Sequence, residues 1–219
     1  MRILSAEFVT SAVAGRTVSR DADAEVALVG RSNVGKSSLI NALARKKIAR
    51  TSAAPGKTRL ANIYRVTVHA AVTRVVYLVD LPGYGYARGG ADSARELAAV
   101  SEAYFGVRSD PGSGTPDPAR RQAQGAPSMS RGGTTLLLVD SRHPRLDADR
   151  LAFEWLARHG ATPRVVTTKV DKLSRAERTR HLREIERVYG APPLPVSAAT
   201  GEGLDAVWKV IVSETLRRT

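Results

Sequence analysis

Residues 30–38 read Gly-Arg-Ser-Asn-Val-Gly-Lys-Ser-Ser, a G-x-x-x-x-G-K-S pattern. A strand-type apolar run, Glu25 to Val29, precedes it, and a helically spaced segment, Ser38 to Ala44, follows. Strand, glycine loop and helix in that order is the context a phosphate-binding loop needs. Gly30 and Gly35 let the backbone curl so that successive N–H groups face inward, and the helix starting near Gly35 adds the positive end of its dipole. Arg31, Ser32, Asn33, Val34 and Ser38 belong to the same nucleotide-contacting stretch. Lys36 is placed to reach the β- and γ-phosphates of a nucleotide, and the Ser37 hydroxyl to take a place on Mg²⁺.

A chain of 219 residues suits a single α/β domain with a sizeable core. Lys and Arg number 34 against 21 Asp and Glu, a formal net charge of +13. That excess favours a polyanionic partner, nucleic acid first and an acidic membrane surface second; solvated surface charge is the plainer explanation. Cysteine is absent, which excludes disulfides and thiolate metal sites. No segment is long and apolar enough to span a bilayer. The N-terminus lacks the apolar core of a signal peptide, with Glu7 interrupting it, so a cytoplasmic protein is expected.

Taken in order, residues 1–24 read as a short lead-in that Phe8, Val9 and Val13 can pin to the domain. The basic run Arg45 to Arg50 suits either a solvated helix end or a phosphate-backbone contact. The Pro-Gly and small polar residues of 51–59 argue for a mobile loop. One threonine there is expected to close on Mg²⁺ when a γ-phosphate is bound. Thr58 is the candidate, because Gly56 and Lys57 before it allow close approach, and Arg59 and Leu60 go with it; Thr51 is the alternative. Ile63 to Val68 alternates and Val75 to Val79 is apolar, a hairpin whose second strand ends in Asp80-Leu81-Pro82-Gly83. Following a phosphate loop by some fifty residues, D-x-x-G places Asp80 on Mg²⁺ through a water and the Gly83 N–H at the γ-phosphate. Many related GTPases carry a water-orienting glutamine directly after this glycine, where Tyr84 stands here. Intrinsic hydrolysis should be slow, and catalytic help must come from elsewhere.

Ser93 to Phe105 has helical spacing, and 106–133 is so rich in Gly, Pro, Ser and Arg that a disordered insertion is expected. Thr135 to Val139 reads as a buried strand, with a helix around Leu151 to Leu156 and a further strand from Arg164 to Thr168. Ser174 and Glu177 have the form of a capping box opening a helix. Leu194 to Val196 reads as a last strand, before a helix presenting Leu204, Val207, Trp208 and Ile211. His143 and His181 read as structural hydrogen-bonders, and no histidine pair has metal-ligand spacing.

Thr168-Lys169-Val170-Asp171 selects the base. Asp171 can accept hydrogen bonds from guanine N1–H and its exocyclic amine, whereas adenine offers no donor at either place. The Lys169 stem covers the base face, and in the Val196-Ser197-Ala198 stretch the Ala198 N–H meets guanine O6. Thr168 stands where many GTPases have asparagine; its hydroxyl can tie loops together, though with shorter reach.

The chain closely resembles the EngB (YsxC/YihA) group of bacterial ribosome-assembly GTPases, in the translation-factor-related class. The resemblance rests on G-R-S-N-V-G-K-S-S-L-I-N at 30–41, T-S-x-x-P-G-K-T at 51–58, D-L-P-G-Y-G-Y-A at 80–87, D-x-R-H at 140–143 and T-K-x-D-K at 168–172, together with S-A-E-F-V at 5–9. Tyr84 and the threonine at 168 are features of that group. The chain departs from it in a longer insertion at 106–133 and in S-A-A-T at 197–200. The resemblance implies an α/β P-loop GTPase fold, a G domain spanning 1–219. Its six-stranded, mostly parallel sheet would have one antiparallel strand, Ile63 to Val68, and five helices on both faces. It implies Mg²⁺ on Ser37 and Thr58, GTP and GDP as ligands, and a role in large-subunit ribosome assembly with effects on division. In related GTPases lacking the glutamine, an asparagine three residues before the lysine can hold K⁺, and Asn33 stands at that place here, so K⁺ stimulation is the expectation to test. Lys36, Thr58, Gly83 and Asn33 are thus the candidate catalytic set. The expected partners are GTP or GDP and the large subunit or its precursor, bound by a monomer without membrane insertion. The competing reading is a nucleotide-gated RNA- or protein-binding module with negligible turnover.

Overall fold

The computed structural model describes residues 1–12, 21–50, 61–84, 133–158 and 160–216. The expected loop at 51–59, the helix at 93–105 and the insertion at 106–133 lie outside these residues, Gly133 excepted. Seven strands form one sheet: β1 (Arg2–Ala12), β2 (Ala24–Gly30), β3 (Ala61–His69), β4 (Thr73–Asp80), β5 (Thr134–Asp140), β6 (Arg164–Thr168) and β7 (Leu194–Pro195). Their spatial order is β1-β3-β4-β2-β5-β6-β7. β3 pairs antiparallel with both neighbours, while β4, β2, β5, β6 and β7 pair in parallel. One antiparallel member in a mostly parallel sheet is the expected arrangement.

The sheet has seven strands where six were expected, and the lead-in is the reason. Arg2–Ala12 is an edge strand laid along the whole of β3, from Arg2 opposite His69 to Ala12 opposite Ala61. Register shifts between Ile3 and Ser5 and between Phe8 and Thr10 break its two-residue alternation, so its apolar residues do not keep to one face. Phe8 is half exposed yet stands edge-on to Tyr64, ring centroids 5.7 Å apart.

Among the described residues four α-helices cover the sheet: α1 (Lys36–Ala44), α2 (Asp147–Arg158), α3 (Arg175–Tyr189) and α4 (Leu204–Leu216). Leu28, Val66, Leu78, Leu136 and Val166 face α1 and α4 through Leu39, Leu43, Val207 and Trp208. Ala27, Val29, Val79, Leu137 and Val139 face α2 and α3 through Ala152, Leu156, Ile185 and Tyr189. With both faces covered, the central strands read as near-continuous apolar runs. The Ser174 hydroxyl accepts from Glu177 N while the Glu177 carboxylate accepts from Ser174 N, the reciprocal cap read from the sequence.

These layers bring the C-terminal ends of β2, β4, β5 and β6 to one edge: Leu28 lies beside Asp80, Gly30 beside Leu138, and Asp140 beside Thr168. Loops leaving that edge are where an open parallel sheet binds ligands. Trp208 anchors α4 under the phosphate-loop helix, its indole donating to the Leu43 carbonyl at 3.3 Å. Trp208→Ala should lower unfolding free energy by about 3–5 kcal/mol through the cavity it leaves. Trp208→Phe should cost about 1 kcal/mol, chiefly the lost hydrogen bond. Urea unfolding followed by circular dichroism reads both, and equal losses would show that the indole volume contributes nothing.

Candidate functional site

β2 stops at Gly30 and α1 starts at Lys36, and the five residues between them form the loop. Asn33 turns with φ 60°, and Gly35 adopts φ 111°, a conformation strained for any residue with a Cβ. No side chain caps α1 and no acidic residue sits in its first turn, so its leading N–H groups are left to an anion. Lys36 is buried beneath this loop, donating to the carbonyls of Gly30 at 3.0 Å and Arg31 at 3.3 Å. An ammonium has three hydrogens, so one remains for a phosphate oxygen.

Asp80, at the end of β4, accepts from the Ser37 hydroxyl at 3.3 Å through Oδ2, while its buried Oδ1 has no partner among the described residues. Burial pushes the Lys36 ammonium down and the Asp80 carboxyl up, each partly offset by the other's charge. An anion beside Lys36 and a cation beside Asp80 relieve both penalties. A hydroxyl next to a carboxylate with an unused oxygen is hard oxygen-donor chemistry that fits Mg²⁺. Among the described residues no group of three or more His, Cys, Asp or Glu is placed to hold a metal on its own.

Leu81 continues from Asp80 and donates its N–H to the Leu28 carbonyl at 3.2 Å. Beyond Pro82, Gly83 lies against the phosphate loop: a Cβ there would fall 2.8 Å from Ser32 N and 3.1 Å from Lys36 Nζ. Ser32 N donates to the Tyr84 carbonyl at 3.1 Å, and Arg31 pairs with Tyr84 as a parallel bridge. The Tyr84 side chain is buried and turned under α2, its hydroxyl donating to Asp149 Oδ1 at 2.9 Å. Burial, and then the Asp149 charge, push that phenol's pKa well up, so it stays protonated.

The base end is built from β6, β7 and the loops after them. Lys169 turns with φ 62° and leads into the short 3₁₀ turn Val170–Lys172, whose Val170 N–H bonds the Val196 carbonyl at 3.3 Å. The Thr168 hydroxyl donates to the Val34 carbonyl at 2.7 Å, joining the base end to the phosphate loop. Lys169 Nζ makes a second tie, to the Asn33 carbonyl at 2.7 Å. Asp171 Oδ1 accepts from the buried Ser197 hydroxyl at 2.7 Å, and that bond leads the causes that lower its pKa. Asp171 therefore presents an ionised carboxylate at the position read for guanine, with Ala198 next to Ser197.

The Gly30–Ser38 stretch, Asp80–Gly83, Thr168–Asp171 and Val196–Ala198 thus meet at one sheet edge. Gly56, Lys57, Thr58, Arg59 and Leu60 lie outside the described residues. Two carboxylates carried no role from sequence. Asp140, at the end of β5, accepts from Arg142 Nε at 2.9 Å, Arg142 Nη2 at 2.7 Å and Lys169 Nζ at 2.8 Å. Its only sequence signal is the D-x-R spacing at a strand end. Asp149 has no signal at all, since nothing local pairs it with residues 31 and 84. His181 is a structural hydrogen-bonder, its Nδ1 2.8 Å from the Ser141 carbonyl.

A family profile described as 50S ribosome-binding GTPase matches residues 25–169. A "Probable GTP-binding protein EngB" of Solibacter usitatus is 40% identical over 214 residues, covering 97% of each chain. The protein of the same name from Heliobacterium modesticaldum is 38% identical over 229 residues, covering 99% of this chain and 98% of that one. Among solved structures, a single-residue variant of Aquifex aeolicus Era bound to GDP·AlF₄⁻ superposes with a TM-score of 0.60 at 22% identity, over 87% of this chain and 56% of Era. Era in complex with MgGDPNP and nucleotides 1506–1542 of 16S ribosomal RNA gives 0.58 at 20% identity, over 93% and 57%. At these identities the likeness to Era is one of fold.

Burial alone pushes the Asp140 carboxyl up, but its hydrogen bonds from Arg142 and Lys169 hold it well below the usual carboxylate range. Its folded pKa therefore lies under the unfolded value near 4. The stabilisation is full above about pH 4 and is lost as pH falls toward the folded value. Wild type should lose stability between about pH 4 and pH 2 more steeply than Asp140→Asn. Parallel acid limbs in urea titrations of the two proteins would show that the pairing contributes nothing.

Proposed function

The chain belongs to the EngB family of GTP-binding GTPases, and we propose that it uses GTP binding and hydrolysis as a switch in large ribosomal subunit assembly, on which normal cell division and septation depend. The observation that carries this reading is the joining of three parts at one edge. They are the phosphate loop, the Asp80–Gly83 turn packed upon it, and Asp171 held by Ser197. In this reading Asp171 accepts from guanine N1–H and the exocyclic amine, the Lys169 stem covers the base, and the Ala198 N–H meets O6. Lys36 holds the β- and γ-phosphates with the loop N–H groups from Arg31 to Ser38. Gly83 N–H bonds the γ-phosphate, and Thr58 closes with Gly56, Lys57, Arg59 and Leu60. Ser37 and Thr58 would hold Mg²⁺, with Asp80 reaching it through a water, and the ion would supply charge neutralisation on the phosphates.

Tyr84, turned under α2, orients no attacking water, which supports slow intrinsic hydrolysis and stimulation by a partner. The +13 formal charge favours ribosomal RNA phosphates as that partner's surface. Among the described residues no helix is long and apolar enough to cross a membrane. The reading is of a cytoplasmic monomer that does not insert into the bilayer. GTP orders Thr58 and Gly83 into the binding-competent state, and hydrolysis releases it.

Co-sedimentation with purified large subunits and their precursors tests the switch, comparing a non-hydrolysable GTP analogue, GDP and no nucleotide at physiological salt or above. Analogue-dependent binding that survives the salt is expected, because non-specific phosphate contacts weaken steeply there. Equal binding in all three states, lost with salt, would leave charge as the whole explanation. Analogue-dependent binding without turnover stimulated by the particles would favour the gated binding module.

Asn33 stands three residues before Lys36 on the exposed rim of the loop, its carbonyl already ordered by Lys169. We propose that its side chain helps hold K⁺ against the developing phosphate charge. GTP turnover should be roughly tenfold or more faster in K⁺ than in Na⁺, on the order of one well-placed charge at the transition state. Asn33→Ala should erase the difference, and equal wild-type rates in both salts would end the idea.

A further inference from the structure

Asp149 sits in the first turn of α2 with its side chain fully buried. Its partner Tyr84 belongs to the apolar cluster that includes Ala152, Leu156, Ile185 and Tyr189. A buried carboxylate is costly, and well-packed apolar replacements of buried ion pairs are often neutral or stabilising. Its placement therefore calls for a reason other than stability. Both of its partners belong to the phosphate site. Oδ1 accepts from the Tyr84 hydroxyl at 2.9 Å and from Arg31 Nε at 3.2 Å, while Oδ2 is buried without a partner among the described residues. We propose that Asp149 is a positioning residue for GTP hydrolysis: one carboxylate oxygen ties the phosphate loop, through Arg31, to the turn after β4, through Tyr84, and so holds Gly83 at the γ-phosphate place.

The geometry closes on itself. Arg31 and Tyr84 are paired along their backbones, Ser32 N donates to the Tyr84 carbonyl, and Asp149 joins the same two residues through their side chains. Gly83 is the residue immediately before this clamp, with no room for a Cβ between it and Ser32. Its N–H cannot shift without disturbing residue 84, which the clamp fixes by backbone and by side chain. A site without a glutamine leans harder on backbone donors that are in place before charge develops. Tyr84 thus acts at a distance: its hydroxyl is given to α2, and that bond sets the place of its neighbour's N–H.

The inference rests on reading Gly83 as the γ-phosphate donor, and the test separates the two. Single-turnover GTP hydrolysis and GDP affinity are measured on the full chain for wild type, Tyr84→Phe, Asp149→Leu, which leaves no acceptor for Tyr84 or Arg31, the double variant and Gly83→Ala. Tyr84→Phe and Asp149→Leu should each slow hydrolysis about tenfold, short of the hundredfold or more of removing a donor outright. GDP affinity should stay within about twofold, since GDP has no γ-phosphate. The double variant should be no slower than the worse single, because both break one clamp. Gly83→Ala keeps the N–H but its Cβ has no room against Ser32, so residue 83 should be displaced and hydrolysis nearly abolished, with GDP bound more weakly as far as the phosphate loop gives way. A Tyr84→Phe protein that hydrolyses at the wild-type rate beside an inactive Gly83→Ala overturns the clamp alone. A Gly83→Ala protein of normal rate overturns the donor reading and the clamp with it. Hydrolysis and GDP affinity falling together in Tyr84→Phe would mark a merely structural role and also overturn the proposal. Should Asp149→Leu fail to fold, Tyr84→Phe, which removes one oxygen and keeps the ring, decides it.

Discussion

An ammonium group withdrawn from water must be surrounded by oxygen, and in this protein Lys36 meets that demand from the loop it lies under. Its bonds to the Gly30 and Arg31 carbonyls fix the curl of the backbone as well as the lysine. The carbonyls point inward to the ammonium, and the leading N–H groups of α1 are left uncapped by any side chain. Burial lowers the Lys36 pKa, so an anion beside it would relieve the cost of keeping the ammonium charged. The surrounding fold holds this loop in place. Strand β2 brings the loop to the sheet edge, α1 carries it back across the face, and α4 pins α1 through Trp208.

The base end depends on the same loop. Thr168 and Lys169 hydrogen-bond to the carbonyls of Val34 and Asn33, so the segment that carries Asp171 is registered against the phosphate loop directly. Asp140 then fixes Lys169 from the other side, with Arg142 sharing its charge. A nucleotide bridging the two ends would meet groups whose separation is already set. Little of its binding free energy would be spent on ordering them. Thr168 is shorter than asparagine, yet the strand register brings Thr168 beside Asp140 and its hydroxyl close enough to the loop to bond it.

Much of this was legible in the sequence because the signals are local. The phosphate loop has its glycines and lysine at fixed spacing, the hairpin has its alternation, and Ser174 and Glu177 announce a helix start. Contacts made at long range left no such trace. Arg31 and Asp149 are separated by 118 residues, and their bond exists only because the parallel sheet brings β2 and β5 side by side. β1 was hidden for a different reason. Its two register shifts destroy the period that identifies a strand, and Leu4, Phe8 and Val9 stay exposed at the sheet edge while Ile3 packs on the core. Asp140 fell between these cases. Its pairing with Arg142 is local and readable, but Lys169 reaches it only across the β5–β6 pairing.

The fate of Tyr84 ties these scales together. A glutamine at that place works by reaching toward the phosphate, and its replacement here reaches the opposite way, into the layer between sheet and helix. The chemistry given up at the reacting end is replaced by a mechanical link. α2, the phosphate loop and the Asp80–Gly83 turn now share one carboxylate oxygen. In the proposed cycle this divides labour between the chain and its partner. In that reading the fold supplies a preset donor and a preset base site, K⁺ would counter the developing phosphate charge, and the group that orients the attacking water would come from elsewhere in the chain or from the ribosomal particle. Under that division, turnover would be fast only in the complex the switch is meant to time. A slow free GTPase is then a consequence of the architecture rather than a defect in it.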